Sequence, residues 1–184
     1  MPYVIVDYKY DALLNGSDRV QQIGVHEKLP SKSGLYIVHP VPDTDDDAVE
    51  DMLYRIWRNE NIGVFFDEGY MIPQQSKAVR ALLTQGRSKN IPVIMLSQRP
   101  AWITRFAMSE ADFYMVFHLQ HAGDKKRIAE FTPPGFAHTE TAKFCSKWYD
   151  VSEHQVFMLK PVPSAAEILN RIDERLARPK LRAI

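Results

Sequence analysis

Two adjacent carboxylates, Asp67 and Glu68, follow directly on the apolar run Gly63-Val64-Phe65-Phe66. An apolar strand ending in two acids delivers them to one edge of a sheet. Successive strand residues face opposite ways, but a turn at Gly69 lets both reach one site. Such a pair suits Mg²⁺-nucleotide chemistry, in which one carboxylate holds the metal or its water and the next polarises an attacking water. Two solvated acids at a strand end are the plainer alternative. A second apolar run, Val93-Ile94-Met95-Leu96, leads into Ser97-Gln98-Arg99. A hydroxyl or amide at that place can hydrogen-bond the attacking water or a γ-phosphate. Between the two runs stands Arg87, in Gly86-Arg87-Ser88-Lys89-Asn90. Its guanidinium can match phosphate bidentately and serve a neighbouring subunit's nucleotide. It can equally offset the dipole at the end of a helix. Other apolar runs are followed by Asp7 and Lys9, His39, His118 and Lys160.

Ligands of an open parallel sheet sit outside the carboxyl ends of its strands, so these residues need strands behind them. Apolar runs of strand length recur at residues 3–6, 35–38, 62–66, 93–96, 114–117 and 156–159. Their continuous rather than alternating character predicts strands covered on both faces. Helical patterns lie between them, at 45–59, 74–87, 123–131 and 164–176. The first opens with acids and places Val49, Met52, Leu53 and Ile56 on one face. The last opens with Ser164-Ala165-Ala166-Glu167, a capping-box pattern. This alternation predicts an α/β fold, a mainly parallel sheet with helices on both faces. A single domain is expected over residues 1–177, with a basic tail at 178–184. Segment 15–34 reads as a polar excursion, and 135–147 is ambiguous.

Composition narrows the function classes. The chain has 184 residues, with 23 Lys+Arg against 23 Asp+Glu. Zero net charge excludes a strongly basic nucleic-acid coat, although not a local basic surface. Hydrophobic residues make up 45%, which excludes disorder as the main state. The single cysteine, Cys145, excludes a disulfide scaffold and a multi-cysteine zinc site. None of the histidines stands at zinc spacing. The acids at 43–47 read as a helix N-terminal cluster, and Lys125-Lys126-Arg127 as a solvated helix face that could also meet DNA phosphate. No apolar run is long enough for a membrane helix, and no signal peptide is evident. A cytoplasmic location, in a phage-infected or prophage-bearing host, is the matching expectation.

The run from Gly63 to Pro100 resembles the FtsK–HerA group of P-loop ATPases, ring motors that move or package double-stranded DNA, with phage packaging and zonula-occludens-toxin-like relatives. GVFFDEGY is similar to their Walker B strand, and QGRSKNIPVIMLSQRP to their arginine-finger loop and sensor strand. VIVDYKYD resembles the strand that follows the Walker A helix, and FYMVFHLQHAGDKKRIAEF a later strand and helix. The resemblance implies a P-loop fold of the additional-strand, catalytic-glutamate type. It implies Asp67 as the Mg²⁺-side acid, Glu68 as catalytic base, Gln98 with Ser97 as γ-phosphate sensors, and Arg87 as a finger acting in trans. Asp7 and Lys9 would line the nucleotide site. ATP, Mg²⁺, double-stranded DNA and a homo-oligomeric ring are the implied partners.

One departure is large: no Gly-x-x-x-x-Gly-Lys-[Ser/Thr] occurs in the sequence. The backbone phosphate cradle and its lysine are therefore missing from these residues. The expectation is either the core of a longer ATPase, to which a P-loop is supplied, or a non-catalytic binding and assembly module. A metal nuclease using Asp7, Asp67 or Glu68, and Asp112 is a further reading. It leaves Ser97-Gln98-Arg99 without a role, and Asp112 precedes its strand.

Overall fold

The structure, a computed structural model, describes residues 1–15 and 17–177; the expected basic tail at 178–184 lies outside the described residues. Strands β1 (Pro2–Asp7), β2 (Val20–Gln22), β3 (Gly34–Val38), β4 (Gly63–Asp67) and β5 (Val93–Met95) form one sheet in the order β2-β3-β1-β4-β5. Every pairing in it is parallel. The register sets Val6 against Val38 and Phe66, Asp7 against Asp67, and Phe66 against Met95. A short helix, α1 (Ala12–Asn15), follows β1.

The strands are Val/Ile/Phe-rich because they are buried. Val4, Val6, Val38, Val64 and Phe66 are all within 1% of complete burial on one face. Helices α2 (Asp46–Asn59) and α3 (Lys77–Gln85) cover that face with Val49, Met52, Leu53, Ile56, Ala78, Val79 and Leu82. Each fully buried Val, Leu or Ile contributes about 1.5–3 kcal/mol, so this contact outweighs the weak intrinsic stability of a nine-residue helix such as α3. Ile5 and Ile37, on the opposite face, are also buried.

One carboxylate locks α2 to α3. Glu50 accepts hydrogen bonds from Ser76 Oγ (2.5 Å), Lys77 N (2.9 Å) and Ala78 N (2.8 Å), while Ser76 Oγ accepts from Val79 N at 3.0 Å. The amides left unpaired at the start of α3 are thus satisfied from a neighbouring helix as well as by the local cap.

The α/β fold with a mainly parallel sheet is the expected one, and the second half of the chain adds a smaller sheet to it. Residues 114–117 and 156–159 fall in a separate antiparallel sheet, β6 (Phe113–Val116), β7 (Ser146–Asp150) and β8 (Gln155–Leu159), in that order. The missing signal was β7, whose Ser-Lys-Trp-Tyr-Asp sequence has no apolar run. It is the central strand, paired with β6 and β8, and it buries Lys147, 1% exposed, which donates from Nζ to the carbonyls of Phe136 (2.5 Å) and Thr139 (2.6 Å). Burial pushes the Lys147 ammonium below its ordinary lysine value, and the charge of Lys125 adds to this. Tyr114, Val116 and Tyr149 face a small core with Ile128 and Phe136, while Phe113, Met115 and Phe157 are exposed. Helices α4 (Arg105–Ser109), α5 (Ala122–Ala129) and α6 (Ala165–Ala177) complete the described chain. Among the described residues, no helix is long and apolar enough to cross a membrane.

Two ion pairs link the segments flanking β5 and β6. Arg87, before β5, lies 3.9 Å from Asp112, just before β6. Arg99, after β5, donates from Nε to Asp124, in the first turn after β6, at 2.9 Å. Strands β5 and β6 therefore run in the same direction, with their carboxyl ends at one edge.

Two outcomes follow from this packing. Replacing Glu50 by Ala leaves the start of α3 undersatisfied and is expected to cost about 1–2 kcal/mol in urea unfolding. Tyr8 is pushed up to about 12 by burial and by Asp46 and Asp45, and Tyr114 to about 12 by burial and Tyr149. Between the ordinary value of 10.0 and about 12, the unfolded chain has lost tyrosine protons that the folded chain keeps. Stability therefore falls as pH rises through that window. The buried Tyr8 hydroxyl has no hydrogen-bond partner, so Tyr8→Phe is expected to leave neutral-pH stability unchanged or raise it by up to ~1 kcal/mol. It should also reduce the alkaline loss, read by denaturant titrations at neutral and alkaline pH.

Candidate active site at the carboxyl edge of the parallel sheet

Strands β1, β4 and β5 end side by side and bring Asp7, Lys9, Asp67, Glu68, Ser97 and Gln98 to one edge, as the sequence predicts. Asp7 is completely buried, and its carboxylate folds the following turn onto itself. Oδ1 accepts from Lys9 N (2.8 Å) and Oδ2 from Asp11 N (2.9 Å). His39, at the end of β3, lies 3.4 Å from Oδ2 through Nδ1, and its ring stacks on Tyr10 with centroids 4.4 Å apart. His39 Nε2 meets Asn15 Oδ1 at 2.6 Å, so this histidine is part of the scaffold.

Asp67 faces the edge, partly exposed. Burial raises its carboxyl above the ordinary value; the charge of Lys9 opposes this, and Asp7 and Asp11 reinforce it. Glu68 is different in kind. It is 3% exposed, and its backbone is left-handed, with φ 57° and ψ 61°. One carboxylate oxygen pairs with Lys9 Nζ; the other, Oε2, is buried and has no hydrogen-bond partner.

Gly69 makes this placement possible. Its N–H donates to the Leu96 carbonyl at 2.7 Å, and a Cβ there would lie 2.1 Å from Met95 Cγ. Glycine lets the chain press this closely against β5 with the Met95 side chain left in place. The turn that tucks Glu68 inward is thereby pinned to the strand that carries Ser97 and Gln98.

On that strand, Ser97 Oγ accepts from Arg99 N at 3.0 Å, and Gln98 is exposed to solvent. Arg99 is committed elsewhere: it pairs with Asp124 and lies over the Trp102 ring, 4.9 Å from its centroid. Asp124, 3% exposed, also accepts from Ala101 N at 3.0 Å. Sequence reasoning missed both this tie and the Lys9–Glu68 pair, because each joins segments that follow different strands.

Arg87 does not join the cluster. It lies in the loop before β5, at the amino ends of the strands, and its side chain is 86% exposed. Asp112 lies at that same far end, away from Asp7 and Asp67, which separates the three acids of the nuclease reading. Among the described residues, no group of three or more His, Cys, Asp or Glu could hold a metal ion. Such chemistry would rest on a single acid completed by ligands from a substrate, an arrangement usual for Mg²⁺.

No protein-family model matches the chain. Among solved structures, the genome packaging NTPase B204 from Sulfolobus turreted icosahedral virus 2, in complex with AMPPCP, is similar with a TM-score of 0.67. That likeness covers 88% of this chain and 83% of that one at 15% identity. The same protein in complex with ATP-gammaS has a TM-score of 0.62 over 88% and 97% of the two chains, at 14% identity. At these identities the likeness establishes the P-loop NTPase fold. Sequence carries the relationship further: over 180 residues, 93% of this chain and 79% of the relative, it is 41% identical to the DNA packaging ATPase P9 of Enterobacteria phage PRD1. With its edge of acids and its fold in agreement, the chain belongs to the viral DNA packaging ATPase family of the FtsK–HerA group.

Proposed function

We propose that this chain is the catalytic core of a motor that hydrolyses ATP to drive double-stranded DNA into a viral capsid, working as a homo-oligomeric ring. The observation that carries the reading is Glu68, a buried carboxylate beside Asp67 with one oxygen unpartnered. A general base needs such a group: held in place, shielded from bulk water, with a lone pair to spare. In this reading Glu68 accepts the proton of the attacking water at Oε2, and Gln98 and Ser97 orient that water or the γ-phosphate. Asp67 would hold Mg²⁺, which when bound supplies neutralisation of charge on the transferred phosphoryl group. Asp7 shapes the Lys9 turn, and Lys9 steadies Glu68.

These residues hold no Gly-x-x-x-x-Gly-Lys-[Ser/Thr], so a cradle of that type comes from sequence outside them. The fold supports a place for it. Strands β5 and β6 run in the same direction, and each has one edge that no described strand pairs with. Ile94 and Leu96 on or next to β5, and Phe113, Met115 and Phe117 on or next to β6, are exposed there. A parallel strand between them would end at the Asp67–Glu68 edge, and a helix after it would cover those side chains. Arg87, at the opposite end of the strands from Glu68, suits a neighbour's site rather than its own.

Three outcomes test the reading. A polypeptide of these 184 residues alone should bind ATP·Mg²⁺ no tighter than about millimolar, ~4 kcal/mol; micromolar binding by calorimetry would reveal a different cradle. In the hydrolysing protein, Glu68→Gln should keep nucleotide binding and stop turnover, because the amide preserves shape without accepting a proton. Arg87→Ala should lose turnover by about 10³-fold or more, and mixing it with Glu68→Gln should restore some, since interfaces then form between an intact Glu68 and an intact Arg87. Near-normal turnover in Arg87→Ala would remove the finger and the main support for a ring.

A further inference from the structure

The turn after β1 carries Lys9 to Glu68, and a histidine from another strand holds that turn. His39 follows β3, and its side chain is 4% exposed. Its ring stacks on Tyr10, and its two nitrogens reach the two ends of residues 7–15. Nε2 meets Asn15 Oδ1 at 2.6 Å. Asn15 Nδ2 donates to the Asp11 carbonyl at 2.9 Å, which fixes the amide so that its oxygen, an acceptor, faces the ring. On the other side, Nδ1 lies 3.2 Å from the Asp7 carbonyl oxygen and 3.4 Å from Asp7 Oδ2.

These contacts select one form of the ring. A neutral imidazole carries a lone pair on one of its nitrogens. On Nε2 that lone pair would face the Asn15 oxygen; on Nδ1 it would face two oxygens of Asp7. A ring that donates from both nitrogens matches every one of these neighbours, and that ring is the imidazolium. Charge leads to the same form. Asp7 is completely buried, and a buried carboxylate needs a cation close by. The Lys9 ammonium is on Glu68, and Tyr10 and Asp11, in the same turn, supply no positive charge.

We infer that His39 is a positioning residue for catalysis: as an imidazolium it is the counter-ion of Asp7, and by satisfying Asp7 it leaves Lys9 to hold Glu68. The inference rests on the reading of Glu68 as general base and adds what keeps its lysine in place. This edge of the sheet gathers the carboxylates of Asp7, Asp67 and Glu68 around Lys9. Asp7 Oδ1 already accepts from Lys9 N, so the lysine's backbone is on Asp7 and its side chain alone is directed to Glu68. Without a positive ring behind it, Asp7 draws the Lys9 ammonium inward, and Glu68 Oε1 loses its partner.

Two measurements on the hydrolysing protein test this. With isotope-labelled histidine, solid-state nitrogen NMR at neutral pH should show both His39 ring nitrogens protonated, the resonances being assigned through the stacked Tyr10 ring. An unprotonated nitrogen in that ring overturns the inference. His39→Gln, whose amide can still reach Asn15, should lower kcat about tenfold or more, with KM for ATP changed by less than about twofold. Adding Asp7→Asn removes the charge that needs a counter-ion, and the double variant should recover most of the lost kcat. A histidine that serves stability alone gives the reverse, since its loss then adds to that of Asp7 and the double variant is the slowest. Unchanged kcat in His39→Gln overturns the inference, as does a double variant no faster than His39→Gln. Urea midpoints on the same samples show that each variant compared is folded, and the NMR result on the unaltered protein stands without them. If the unaltered protein does not hydrolyse ATP, the reading of Glu68 falls and the positioning role with it, while the nitrogen resonances still decide the charge on the ring.

Discussion

The close approach of Gly69 to β5 is the contact on which the site depends. A Cβ at residue 69 would overlap the Met95 side chain, so glycine lets the turn after β4 lie flat against the next strand without displacing it. The Gly69–Leu96 hydrogen bond extends the β4–β5 pairing around that turn. Ahead of that fixed turn, Glu68 has a left-handed backbone and is buried in the protein rather than exposed to solvent. The spacing between Glu68 and the Ser97-Gln98 segment is then set by backbone, not by flexible side chains. Preorganisation of this kind lets a polar site act without reorganising at the moment of reaction.

The site's outline was legible because buried parallel strands announce themselves. Val4–Val6, Val64–Phe66 and their neighbours must be apolar on both faces, so the first polar residues after them mark the ligand edge. That logic places Asp67, Glu68 and Gln98 at the carboxyl edge of the sheet without coordinates, and the structure has them there. It could not show what each carboxylate does once there. Asp7 and Asp67 are paired in register, yet Asp7 is enclosed by the amides of Lys9 and Asp11 while Asp67 faces the edge. Nor could it show that Lys9 reaches across to Glu68, or that Asp124 answers Arg99 from 25 positions away. An acid at a helix start looks the same whether it serves a dipole or a distant guanidinium.

The second sheet was obscured for a different reason. Hydrophobic periodicity detects strands that bury apolar side chains, and β7 buries Ser146 and Lys147 beside a single aromatic, Tyr149. Burying an ammonium is costly unless its protons are used, and here two main-chain carbonyls from the preceding segment use them. Lys147 thus anchors the otherwise irregular stretch between α5 and β7, which is why that stretch could not be classified from pattern alone. Its anchoring also links the small core around Tyr114 and Tyr149 to the loop in which Phe144 is exposed.

Strand β8 bears on how the protein behaves in concentrated solution. Among the described residues it pairs only with β7, and Val156, Phe157 and Met158 are all exposed. A strand with unused backbone groups and apolar side chains on both faces is a template for edge-to-edge association. Here the hazard is kept short. The run ends after Leu159 in Lys160-Pro161-Val162-Pro163, a charge and two imino acids that cannot donate to an added strand. Removing those prolines would lengthen a sticky edge without touching the chemistry, so solubility and catalysis are written into different parts of the chain.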